Sequence, residues 1–147
     1  MAQGRRRRAR IAALQALYER DTSNHEVQAA LTRIATEERL PAGSVAFARD
    51  LIEGVLAQQD EIDGVIAKAA PAWPVSQLAP IDRNVLRLAI REMLGDNGAP
   101  VRAVINEAVE LAKSFGSDNS AKFVNGVLGS IERQRAELQA ELAKGRR

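Results

Sequence analysis

Five arginines stand within the first ten residues, at positions 5, 6, 7, 8 and 10, with no acid among them. Guanidinium groups grip phosphate oxygens in a bidentate fork and stack on base faces, so such a run suits a nucleic-acid strand. At 3.6 residues per helical turn, Arg7 and Arg10 fall on the same side as Leu14 and Leu17. The apolar stripe thus turns into a guanidinium stripe toward the N-terminus. Packing those charges into a core costs heavily in desolvation, so the first turns are expected to overhang the body and leave the arginines available. Cations at a helix N-terminus also oppose the macrodipole, a disadvantage that a bound anion removes. Tyr18, one turn beyond Leu14, offers a ring to an unstacked base, although a lone tyrosine more often closes a core edge. The arm by itself does not separate nucleic-acid binding from a solvated basic tail.

Little else in the chain points to catalysis. His25 is the one histidine and falls at an expected helix start, where capping or exposure accounts for it. Glu107 and Glu110 share a helix, but paired acids there are ordinarily surface charges. No glycine loop cradles phosphate, no cluster has metal-ligand spacing, and no cofactor is expected. The absence of cysteine excludes a disulfide scaffold, thiol catalysis and cysteine metal sites, and fits a reducing cytoplasm. No apolar run is long enough to span a bilayer. IAALQALY after the basic start faintly resembles a signal peptide, but Gln15 interrupts it and Glu19, Arg20 and Asp21 follow directly. The formal charge of +2 conceals an asymmetry: setting aside the five early arginines and Lys144, Arg146 and Arg147 leaves 13 basic residues against 19 acids, about −6. An acidic body with a basic arm suits a specific anionic partner.

Helical patterns fill the 147 residues, and no alternating strand appears. The first helix is expected from about Arg6 to Arg20. A second, capped by Asn24, runs to Pro41, and a third, long one from Ser44 to about Lys68 carries Ala48, Leu51, Ile52, Val55, Gln59, Ile62 and Ile66 on one face. PAWPVSQLAP, residues 71–80, is the extended break, with Trp73 expected to pin the connection to the body. Pro80 starts a fourth long helix that stops near Gly95. Pro100 opens a helical pair in which Gly116, in the left-handed conformation, ends one helix and Ser117-Asp118 caps the next. Gly126 and Gly129 are read as sites of close helix packing, and Asn106 and Asn125 as interior or interface amides. The fold class is all-α, two packed three-helix bundles with about seven helices. The expected organisation is a single domain, 1–147. It comprises an N-terminal subdomain, 1–70, with the arm; a connection, 71–80; a C-terminal subdomain, 81–131; and a charged tail, 132–147, that frays.

Three stretches resemble, in order, the Nus factor B (NusB) family of transcription antitermination proteins. They are RRRARIAALQALY (Arg6 to Tyr18), LAPIDRNVLRLAIREM (Leu78 to Met93) and VINEAVELAKSFGSDNSAKFVNGVLGSI (Val104 to Ile131). The resemblance implies a non-enzymatic RNA-binding factor of bacterial transcription. It would pair with the small-subunit ribosomal protein that doubles as Nus factor E, recognise single-stranded boxA RNA in ribosomal RNA leaders, and help the elongating polymerase with the other Nus factors. By position it implies that Arg6, Arg7, Arg10, Gln15 and Tyr18 face RNA at the arm. Lys122 and Phe123 form a second RNA-facing patch, and Asp82 meets the basic ribosomal partner. Asn119 stands where family members often carry an acid after Asp118, which should lessen repulsion of RNA and dependence on the partner.

Other readings stay open at this point. NusB-like domains also front ribosomal RNA cytosine methyltransferases, but this sequence has no catalytic cysteine or cofactor-binding sheet. A helical protein–protein adaptor with a non-specific basic arm is the second reading. A homodimer that buries the arm and the Phe123 region is the third.

Overall fold

The helical periodicity becomes seven α-helices and one short 3-10 helix in a computed structural model that describes residues 3–95, 98–135, 137 and 143–145. Arg146 and Arg147, and with them half of the expected tail 132–147, lie outside the described residues. The chain divides into two compact units, Met1–Ala57 and Gln58–Arg147.

The first unit is a three-helix bundle. α1 (Gln3–Ser23) packs on α2 (Val27–Glu37) and α3 (Ala42–Ala57), and its core is closed by Leu14, Leu17, Leu31 and Ile52. Each such side chain contributes about 1.5–3 kcal/mol when fully buried. α1 is longer at both ends than its apolar stripe suggests. Asn24 does not cap α2; at φ 57 it takes the left-handed conformation just beyond α1, which asparagine tolerates. The cap of α2 is Glu26, whose carboxylate accepts from the backbone N–H of Gln28. Ser44 is likewise no cap. The Pro41 carbonyl accepts from the N–H groups of Ser44 and Val45, at 3.0 and 3.1 Å, so Ser44 sits inside the first turn of α3. There its buried hydroxyl donates to the Arg5 carbonyl at 3.4 Å.

The second unit gathers α4 (Gln59–Ala69), a 3-10 turn (Val75–Gln77), α5 (Pro80–Leu94), α6 (Val101–Phe115) and α7 (Ser120–Arg133). α5 is central: every residue from Asn84 to Ile90 is buried, and α4, α6 and α7 all pack on it. Two of those residues are polar, and they satisfy each other. Arg87 grips Asp63 of α4 with two parallel hydrogen bonds, Nε to Oδ1 at 2.8 Å and Nη2 to Oδ2 at 2.9 Å. Its Nη1 donates to Asn84 Oδ1 at 3.2 Å, and Asn84 Nδ2 donates to the Pro80 carbonyl at 2.9 Å. A buried guanidinium held in this bidentate way recovers much of its desolvation cost.

The long third helix of the sequence reading is two helices. Gln58, at φ −126° and ψ 25°, leaves helical geometry for one residue, and its carbonyl restarts α4 by accepting from Ile62 N–H. Its buried side-chain oxygen accepts from Arg91 Nη1 at 2.7 Å. A one-residue turn barely shifts the phase of the apolar stripe, so periodicity runs straight through it. The division between units therefore falls at Ala57–Gln58 rather than at 71–80. α4 packs on α5 and α7 through Ile62, Val65 and Ile66, which makes the proline segment a connection inside the second unit.

Gly116 ends α6 for a different reason from the one expected. Its φ of −95° suits any residue. A Cβ there would run into the Ser120 side chain and come within 2.8 Å of the Ala112 carbonyl. Glycine is required by crowding, because the Ser120 hydroxyl folds back to accept from Ser117 N–H at 2.9 Å.

Candidate nucleic-acid interface

The arginine arm does not overhang the body. It is helical from Gln3, and Ala9, Ala12 and Ala13 are buried, which brings α1 close against its neighbours. The Arg6 guanidinium carbon lies 5.0 Å from the centroid of the Phe47 ring on α3, and that of Arg10 lies 5.5 Å from it. Arg10 is only 5% exposed, and Arg6 is half-buried. The negative face of an aromatic ring stabilises a guanidinium that has lost part of its water. The ring thus offsets part of the desolvation cost that the sequence argument weighed against burial. Arg5, Arg7 and Arg8 remain exposed. Arg8 Nη2 donates to the Glu38 carbonyl at 2.7 Å, which satisfies one of the free carbonyls at the end of α2.

Gln15 is half-buried and lines a groove of about 140 Å³ with Arg8, Ile11, Ile34, Glu38 and Leu40. Tyr18, one helical turn on, is 39% exposed and so does not close a core edge. The first unit thus presents exposed cations, a half-sunk amide and an open phenol along one helix. Phe47 is the residue that sequence reasoning passed over here. The signal for Phe47 was its place, three residues after Ser44 and four before Leu51, on the inner face of α3.

In the second unit, Lys122 is exposed and Phe123 half-buried on the first turn of α7. They line an open groove with Asn119, Gly126 and Trp73. Trp73 corrects the sequence reading: at 59% exposed, it pins nothing. Arg83 holds the connection instead, with Nη1 donating to the carbonyls of Val75, Ser76 and Leu78 at 3.4, 3.3 and 3.3 Å. Gly126 and Gly129 are not points of close packing, since an added Cβ meets nothing within 4 Å at the first and only the Arg133 guanidinium, at 4.0 Å, at the second. Asn106 and Asn125 are exposed, not interior. Asp82, third residue of α5, is half-buried at the positive end of that helix, and its Oδ1 is buried with no hydrogen-bond partner.

Arg6, Arg7, Arg10, Gln15 and Tyr18 therefore sit together on the first unit, and Lys122, Phe123 and Asp82 belong to the second. Among the described residues no group of three or more histidine, cysteine or acidic side chains is placed to hold a metal ion. No helix among them is long and apolar enough to cross a membrane. Glu107 is buried on α6 rather than a surface charge, and His25 is exposed with Nδ1 3.0 Å from Glu19 Oε1.

Comparison with known proteins identifies the family. The sequence model of the NusB family matches residues 7–133. The transcription antitermination protein NusB of Chloroflexus aggregans is 49% identical over 138 residues, covering 92% of both chains. That of Dehalococcoides mccartyi strain CBDB1 is 49% identical over 132 residues, 90% of this chain and 92% of the other. Among solved structures, NusB of T. maritima is 35% identical with a TM-score of 0.81, covering 88% of this chain and 91% of its own. A crystal structure of the antitermination factors NusB and NusE in complex with dsRNA matches at 26% identity and a TM-score of 0.81, over 90% of this chain and 98% of that one. With a match that opens in the arginine arm and closes at the end of α7, and relatives about half identical along nearly their whole length, the chain belongs to the NusB family of transcription antitermination proteins.

Proposed function

We propose that this chain is an RNA-binding antitermination factor of the cytoplasm. Together with the small-subunit ribosomal protein acting as Nus factor E, it recognises boxA RNA in ribosomal RNA leaders and supports processive elongation by polymerase with the other Nus factors. As a family member it acts by binding and not by catalysis. The observation that carries the reading is the docked arm: Arg5, Arg7 and Arg8 are held outward on a helix whose inner face is fixed by Arg6 and Arg10 on Phe47. Cations preorganised in this way bind phosphate without the ordering cost of a loose tail. The likeness to the NusB–NusE complex with dsRNA supports both an RNA and a protein partner.

Roles follow from exposure. Arg7 takes phosphate, and Arg6 adds a half-buried charge beside it. Arg10 acts by seating Phe47 and the helix. Gln15, in its groove, and the open ring of Tyr18 contribute base preference, as base contacts specify where phosphate contacts position. Lys122 and Phe123 add a cation and a ring, and Asp82, half-buried on the first turn of α5, offers the basic ribosomal partner a negative charge.

The test is binding to a boxA-like single strand, a scrambled strand and a duplex of the same sequence, with and without the ribosomal partner, across salt concentrations. Preference for boxA, strengthened by the partner, is the expected result. Equal, weak and salt-erased binding to all three RNAs would leave a helical adaptor with a non-specific arm. Sedimentation of the free chain decides whether a homodimer competes for the same surfaces.

A further inference from the structure

We propose that the groove of the second unit lined by Trp73 and the start of α7 is a nucleobase site, in which Trp73 and Phe123 hold one unstacked base of an RNA strand and Lys122 meets its phosphate. This rests on the RNA-binding reading and adds to it a ring, Trp73, from outside α7. Trp73 is the most exposed of the large apolar side chains that stand open to solvent, and an indole in water forgoes the largest burial gain any side chain offers. Its backbone is also fixed in place. Pro71 and Pro74 restrict the backbone on either side, and Trp73 N–H donates to the Ala70 carbonyl at 3.4 Å. Arg83 ties down the three carbonyls that follow. With its backbone settled, the indole has only two side-chain torsions left to fix on receiving a ligand, which keeps the ordering cost low.

The groove measures about 520 Å³, within the range of small-molecule sites and ample for a nucleoside. Alanines and Gly126 keep its walls low, and a Cβ added at Gly126 would still meet nothing within 4 Å. Its chemistry selects the occupant. Lys122 is the one charged side chain among the lining residues, so the groove is complementary to an anion and offers no carboxylate to a basic protein. Asn119 brings an amide able to donate and accept along a base edge. An apolar peptide side chain would use the rings and leave both polar groups idle. A nucleotide uses all of them, and every base has a face on which to stack.

Trp73 is the only tryptophan, so the emission of the unaltered protein reports this groove alone. BoxA-like single-stranded RNA is titrated in while an end label on the RNA reports binding by anisotropy, and the series is repeated with one abasic nucleotide at each position in turn. The expected result is quenching that saturates with the anisotropy, and one abasic position that abolishes it. Trp73→Ala should weaken RNA binding roughly tenfold, the scale of one base–aromatic stack, whereas Trp73→Phe retains most of it. Gly126→Leu, which fills the groove and leaves Trp73 itself unaltered, should reproduce the loss with thermal unfolding unchanged or raised, since glycine weakens a helix interior. Full RNA affinity with unaltered emission and a neutral Trp73→Ala overturns the site and leaves RNA binding standing. Quenching by the ribosomal protein alone, without RNA, assigns the groove to protein and also overturns it. Absence of any anisotropy change removes the RNA-binding reading and this site with it.

Discussion

Arg6 lies over the ring of Phe47, its guanidinium carbon 5.0 Å from the ring centroid, and Arg10 approaches the same ring at 5.5 Å. One aromatic side chain on α3 thus seats two members of the arginine run. Phe47→Leu keeps most of the apolar volume and removes the ring face. The expected loss is about 1–2 kcal/mol, since two cations share the ring away from bulk water. It would be read as a lower urea midpoint at unchanged slope, with weaker RNA binding because Arg6 loses its seat. An unchanged midpoint would show that the ring does not hold the arginines.

What the sequence disclosed and what it hid divide along physical lines. Pro80 at the first position of α5 and Pro100 just before α6 are local chemistry, and both helix starts were readable. The stripe of α7, with Val124, Val127, Leu128 and Ile131 buried, was readable for the same reason. The break at Gln58 was not, because what stabilises it is Arg91, thirty-three residues away. The seating of Arg10 depends on Phe47 in another helix, and the exposure of Trp73 depends on Arg83 having taken over the work of pinning the connection. Each of these misses is a tertiary contact that overrode a local expectation. For the proposed interface, the arm, Arg8 included, and the pair Lys122–Phe123 are singled out by residue type and resemblance. The seat at Phe47 and the exposure of Trp73 are tertiary properties that residue type does not carry.

Asp63→Asn tests the centre of the second unit. It keeps the shape of the side chain but removes the charge that faces Arg87, which is 6% exposed against 24% for Asp63. Removing one partner of a well-buried pair costs about 3–5 kcal/mol. Asp63 reaches solvent and the amide still accepts one hydrogen bond, so roughly 2 kcal/mol is expected from urea unfolding. Arg87→Met, which removes the buried charge instead, should cost less than Asp63→Asn. The reverse order would mean that the fork stabilises the fold by more than mutual neutralisation.

Gly116→Ala separates crowding from backbone conformation. With φ at −95°, alanine carries no torsional strain, and a conformational account predicts neutrality or a small gain. The crowding account predicts a loss on the order of 1–3 kcal/mol, because the new methyl meets both the Ser120 side chain and the Ala112 carbonyl. Ser120→Ala in the same chain should recover only part of it, since the Ser120 Cβ would itself stand 2.5 Å from the new carbon. Thermal unfolding of the single and double variants distinguishes the two accounts by sign.

Arg7 and Arg10 share a side of α1 in the sequence, yet one is exposed and the other is 5% exposed, so their replacement should be read out by different measurements. A single-stranded RNA releases counterions with a salt slope of about −0.7 for each phosphate neutralised. Arg7→Gln should therefore flatten the log–log salt dependence of RNA binding by about 0.7. Arg10→Gln should leave the slope where it is, because a guanidinium facing Phe47 holds few counterion-displacing contacts. It should instead lower stability by roughly 1–2 kcal/mol through loss of the ring contact and of side-chain packing. RNA affinity then falls by the same factor at every salt concentration. If Arg10→Gln flattens the slope as Arg7→Gln does, Arg10 leaves its seat on binding RNA, and the docked geometry of the arm belongs to the free protein alone.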